Sequence, residues 1–155
     1  MFKDELLKGK RILVTGGGSG LGKEMTRHFL KYGAEVYICG RRESVLSDTA
    51  KELMDENGGK VNHFALDIRD SNSVDAAIED IFVDGPLDGL VNNAAGNFIS
   101  RTKDLSPNGF NAIASIVFHG TFYMTNAVGR RWIELGHKGS ILSILATWVW
   151  TGSPY

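Results

Sequence analysis

Short apolar runs alternate along this chain with longer segments whose apolar residues recur every three or four positions. Ile12–Thr15 is the first run and predicts a buried strand. A helix-like segment, Lys23 to Tyr32, follows; Leu21, Met25 and Phe29 recur at i, i+4 and i+8, marking one face of a helix that Gly33 stops. Val36–Cys39 predicts a second strand, Ser44 to Asn57 a second helix ending at Gly58-Gly59, and Val61–Leu66 a third strand. Ser71 to Phe82 predicts a helix with Ser71 as its N-cap. Leu87–Asn92 and Gly139–Ile144 predict the fourth and fifth strands. Between them, Pro107 suits the first turn of a long helix. Its apolar stripe, Phe110, Ile113, Val117, Phe118, Thr121 and Phe122, runs on toward Val128 and Trp132.

Strands alternating with helices imply right-handed crossovers and a parallel sheet. The expectation is an α/β fold: a Rossmann-type, doubly wound sheet forming one dinucleotide-binding domain over 1–155, truncated after the fifth strand. Such a sheet binds its ligand at the carboxyl ends of the strands. The candidate motifs fall there: Gly16–Gly22 after the first strand, Gly40-Arg41-Arg42 after the second, Asp67 after the third and Asn92–Gly96 after the fourth.

Composition narrows the function classes. A hydrophobic content of 43% suits a packed core, and a net charge of −1 gives no footprint for nucleic acid. Cys39 is the only cysteine, which excludes an internal disulfide and a cysteine-clustered zinc site; it reads as a buried strand residue. The polar start, Met1-Phe2-Lys3-Asp4-Glu5, is unlike a signal peptide, and no apolar run is long enough to span a bilayer, so the expected location is cytoplasmic.

The chemistry begins at Thr15-Gly16-Gly17-Gly18-Ser19-Gly20-Leu21-Gly22, between a strand and a helix. Glycines let backbone N–H groups approach a pyrophosphate, and the helix N-terminus adds roughly half a positive charge. Gly16, Gly18, Ser19, Gly20, Leu21 and Gly22 are therefore candidate cofactor contacts. At the end of the second strand, NAD-binding versions of this fold place an acidic residue on the ribose hydroxyls. Here Arg41 and Arg42 stand instead, and a guanidinium fork binds a 2′-phosphate where a carboxylate would repel it. The expected cofactor is NADP(H), with Arg41 the main contact; the bland alternative is a solvated pair at a helix entrance.

Thr15-Gly16 with Gly20 and Gly22 gives the spacing TGxxxGxG. Together with Asp67 and Asn92-Asn93-Ala94-Ala95-Gly96, it resembles the short-chain dehydrogenase/reductase family over essentially the whole chain. The stretch Asn97-Phe98-Ile99-Ser100 with Leu105-Ser106-Pro107-Asn108 resembles its 2,4-dienoyl-CoA reductase branch. The resemblance implies adenine contacts at Asp67 and Ile68, and a nicotinamide-side turn at Asn93, Ala94 and Gly96. It also implies an unsaturated acyl-CoA thioester as substrate, and a homo-oligomer when full-length. Asn97 would hold the thioester oxygen, although an asparagine capping its own loop has the same look. Phe98 and Ser106 would line the acyl-CoA site and Arg69 reach a CoA phosphate; the alternatives are a core ring, a cap before Pro107 and a solvated charge.

This chain also departs from the family pattern. The usual asparagine and serine positions hold Val117 and Ala146, which carry no polar side-chain group. The branch tyrosine falls on Trp148, whose indole N–H can hold a carbonyl but cannot deliver a proton; the bland alternative is that Trp148 and Trp150 are packing residues. Tyr155 lies further on, at an unmatched spacing, and the family lysine would lie past it. Two other readings stay open: a reductase of simple carbonyl compounds, which Val117 and Ala146 oppose, and a non-catalytic NADP-binding protein.

Overall fold

The computed structural model describes residues 2–152, apart from the side chains of residues 148 and 149. The strands are β1 (Arg11–Thr15), β2 (Glu35–Gly40), β3 (Val61–Ala65), β4 (Gly89–Asn92) and β5 (Ser140–Ser143). They form one parallel sheet in the order β3-β2-β1-β4-β5. Helices α1 (Gly20–Lys31), α2 (Glu43–Asn57) and α3 (Ser71–Val83) link the first four strands. From β4 to β5 the chain runs through α4 (Pro107–Ala114), a π-helical turn over Ser115–Gly120 and α5 (Thr121–Leu135). The short α6 (Trp148–Thr151) follows β5.

Alternating strand residues separate two cores, because successive side chains point to opposite faces. Ile12, Val14, Val36, Ile38 and Val91 pack with Leu30, Leu46, Ala50 and Leu53 of α1 and α2. Leu13, Tyr37, Cys39 and Leu90 pack with Val74, Ile78, Met124 and Val128 of α3 and α5. Trp132 closes the second core; its Nε1 donates to the Leu87 carbonyl at 2.6 Å.

Three readings of the helices are corrected. First, α1 begins at Gly20, and its buried face is Gly22, Thr26 and Leu30; Leu21 is 68% exposed. The face is turned by one residue because α1 settles directly onto the preceding loop. A Cβ at Gly22 would lie 2.3 Å from the Gly16 carbonyl oxygen, so only glycine permits that contact. Second, the N-cap of α3 is Asp70, not Ser71: its carboxylate accepts from the Asn72 N–H at 3.0 Å and from the Ser73 hydroxyl at 2.6 Å. Third, only the far end of the long helix's apolar stripe, Val128 and Trp132, lies on its buried face. Phe110, Val117, Phe118 and Phe122 are exposed, while Gly120, Met124, Ala127, Val128 and Trp132 are buried. The π-turn shifts the helical phase between α4 and α5, and Gly120 presses on Ile68, where a Cβ would meet the Ile68 side chain at 2.6 Å.

All four residues of β5 are exposed, and β5 ends the sheet. Among the described residues no helix is long and apolar enough to cross a membrane, and no cluster of acidic, histidine or cysteine side chains could hold a metal ion.

Candidate functional site

The carboxyl ends of the strands surround a cleft of about 540 Å³. The loop after β1 supplies Gly16, Gly18, Ser19 and Leu21 to its floor. Cys39, Gly40, Arg41 and Arg42 at the end of β2, with Val45 and Leu46 of α2, form one side. Leu66, Asp67 and Ile68 after β3 extend that side. Asn93, Ala94 and Ala95 after β4, Ile116 of the π-turn, and Ile144, Leu145 and Ala146 after β5 form the other.

The floor is held from several sides. Gly16 has φ +68°, a left-handed conformation suited to glycine, and its N–H donates to the Cys39 carbonyl at 2.8 Å. The buried Thr15 hydroxyl accepts the N–H groups of Asn93 at 3.0 Å and Ala94 at 2.9 Å. In return, the Asn93 side-chain amide donates to the Thr15 carbonyl at 2.9 Å and reaches the Gly16 carbonyl at 3.4 Å. The Gly22 position admits this brace, since a Cβ there would sit 2.7 Å from the Asn93 amide nitrogen. On the far side the Thr49 hydroxyl donates to the Gly18 carbonyl at 2.8 Å. Thr15, Thr49 and Ile116 went unassigned in the sequence reading; only Thr15 left a signal there, as the first letter of TGxxxGxG.

Ser19 caps α1 without a side-chain hydrogen bond. The first-turn N–H groups of α1 therefore have no side-chain acceptor from the cap, which suits them to an anion. Arg41 and Arg42 are exposed at the cleft's edge, and among the described residues neither guanidinium is in an ion pair. Asp67 differs: Arg69 Nε reaches its two carboxylate oxygens at 2.9 and 3.0 Å. That guanidinium holds the Asp67 carboxyl below its usual range, against a partial desolvation that works the other way. Burial pushes the Cys39 thiol up to about 12, so it is a neutral wall residue rather than a nucleophile.

The cleft thus brings together Gly16, Gly18, Ser19, Leu21, Arg41, Arg42, Asp67, Ile68, Asn93 and Ala94. Gly20, Gly22 and Gly96 shape it from behind: Gly20 and Gly22 open α1, and a Cβ at Gly96 would meet Ile116 at 2.6 Å. Asn97 and Phe98 stand exposed beyond the lining. No hydrogen bond among the described residues ties the Asn97 amide to its own loop, whereas the Phe98 ring rests over Gly109 of α4. Ser106 caps α4, its hydroxyl accepting the Gly109 N–H at 3.1 Å. Arg69 turns to Asp67 and does not line the cleft. Trp148 lies in α6, but its side chain is outside the described residues, as is Tyr155.

Comparison with known proteins agrees with this geometry. A family described as short chain dehydrogenase matches residues 10–149. A Bacillus subtilis protein named "Probable 2,4-dienoyl-CoA reductase" is 41% identical over 91% of this chain and 56% of its own length. A Caenorhabditis elegans protein named "Probable 2,4-dienoyl-CoA reductase 3" is 42% identical over 100% of this chain and 51% of its own. The chain spans about half the length of the curated relatives it matches. Among solved structures, a short chain dehydrogenase from Bacillus anthracis superposes with a TM-score of 0.88 at 42% identity, over 94% of this chain and 58% of that one.

Proposed function

Because the chain belongs to the short chain dehydrogenase family, we propose that the protein containing it is an NADPH-dependent reductase of unsaturated acyl-CoA thioesters. The observation carrying the cofactor half is the pair Arg41 and Arg42 at the cleft's edge, unpaired among the described residues, beside a glycine floor and a helix without a side-chain cap. The substrate half rests on relatives named 2,4-dienoyl-CoA reductase and on the Asn97 stretch beyond the cleft.

The residues present fit a 2′-phosphorylated dinucleotide. The α1 amides and the Gly16–Gly22 loop would hold its diphosphate, and Arg41, seconded by Arg42, its 2′-phosphate. Asp67 and Ile68 flank the adenine end, and Asn93, Ala94 and Gly96 the nicotinamide end. Bound there, the dinucleotide supplies a hydride to the conjugated acyl chain.

The chain's own contribution is to steady charge. As negative charge gathers on the thioester oxygen, the Asn97 amide donates a hydrogen bond to it, with the Trp148 indole as a second donor. Ile144, Leu145 and Ala146 line the other side of the cleft without a charged group. Phe98, exposed beyond the cleft, is proposed along the path of the acyl-CoA, whereas Ser106 caps α4 and Arg69 is held by Asp67. Val117 and Ala146 offer no proton to a ketone oxygen, which favours a thioester over a simple carbonyl substrate.

The test is NADPH oxidation by the intact protein, followed by absorbance, with a 2,4-dienoyl-CoA against a panel of ketones and aldehydes. Turnover of the dienoyl-CoA is expected. Turnover of carbonyl compounds alone would transfer the assignment to them, and binding of NADPH without turnover would make the protein a non-catalytic binder.

A further inference from the structure

The β2 side of the cleft holds a charged group besides its arginines. Glu43 is the first residue of α2, directly after Arg42. Its carboxylate does not line the cleft. It meets the edge strand instead, with Oε1 3.1 Å from the Nε2 of His63 on β3. His63 is two residues from the buried Val61, so both point to the α2 side of the sheet.

Resting on the assignment of the 2′-phosphate to Arg41 and Arg42, we infer that Glu43 is a specificity-determining residue for that phosphate and His63 its positioning partner. A carboxylate adjacent in sequence to the phosphate-holding arginines subtracts from their field. How much it subtracts depends on where the carboxylate rests, because exposed charges are screened within roughly 8 Å at physiological salt. The His63 contact holds the Glu43 carboxylate at β3, off the cleft lining; without that contact the flexible side chain is free to turn toward the arginines. A second carboxylate, Asp67, shares the cleft with Arg41; it is paired with Arg69 and is unchanged in the variants below. Glu43 itself is favourable at the helix N-terminus, so its cost falls on phosphate binding rather than on the helix.

The experiment uses the intact protein and calorimetric affinities for 2′,5′-ADP and 5′-AMP, which differ only in the 2′-phosphate. In E43Q the preference for 2′,5′-ADP should rise about two- to fourfold, the size expected of a screened like charge at this range. In H63F it should fall by a similar factor. The double variant E43Q/H63F should match E43Q, because His63 acts only through the carboxylate, and circular dichroism checks that α2 is intact. An unchanged preference in E43Q overturns the inference, as does an H63F effect that persists in the E43Q background. Wild-type protein that binds both ligands equally removes the phosphate seat itself, and the inference with it.

Discussion

Under the proposed function, Arg41 is the residue on which cofactor choice would turn. R41A is expected to raise the NADPH dissociation constant by about ten- to a hundredfold, the worth of a charge-assisted hydrogen bond. NADH affinity should stay within about twofold, since it lacks the 2′-phosphate. Titration with both cofactors checks this, and an unchanged preference for NADPH would defeat the assignment. Asp67 gives a pH signature. Its folded carboxyl titrates below the ordinary value because Arg69 hydrogen-bonds the charged form. The pair therefore contributes stability above the unfolded carboxylate range, and that stability is lost as pH falls through the lowered folded value. D67N should lower the melting temperature slightly above the carboxylate range, because the pair is substantially exposed, and match wild type in acid, where the pair is already lost, so that the acid limb is shallower. An acid limb identical to wild type would remove the pair from the account.

At the scale of elements, the joint between the glycine loop and the turn after β4 matters most. Thr15 is buried and serves two backbone donors at once. T15V keeps the shape but leaves those N–H groups without their acceptor, at a cost of about 2 kcal/mol. The melting temperature should then fall by roughly 4–8 °C for a chain of this size. Dinucleotide affinity should fall with it, because the loop loses its brace to Asn93. A melting temperature within about 1 °C of wild type would show that the brace carries little. The helices also show why local pattern misleads. Leu21 continues a tidy apolar stripe, yet α1 turns its glycine inward because that face must meet a carbonyl of the loop. Ser71 looks like a cap, but Asp70 holds the geometry. The π-turn at Ser115–Gly120 leaves no mark on composition; it follows from Gly120 fitting against Ile68, residues far apart in sequence.

For the whole molecule, the uncovered surfaces govern behaviour. β5 stands at the sheet edge with Ile141 and Leu142 exposed, and Phe110, Phe118 and Phe122 crowd the outer face of the long helix. Contiguous apolar surface of this kind binds apolar dyes and promotes association. The 155-residue chain should enhance anilinonaphthalene sulfonate fluorescence and sediment in a concentration-dependent way. Dye fluorescence and sedimentation unchanged across concentrations would show that these faces do not drive association.

The sequence by itself determined the strand–helix alternation, the parallel doubly wound sheet and the ends of strands where a ligand sits. These follow from local periodicity and from the handedness of crossovers, which need no distant contact. It also determined the charge of the cleft's edge, because Arg41 and Arg42 are adjacent in the chain. Tertiary structure alone decided which helix faces are buried and that Thr15 and Asn93 lock two loops together. Each of those depends on atoms brought within about 3 Å of one another by packing, and no spacing along a chain encodes such a distance.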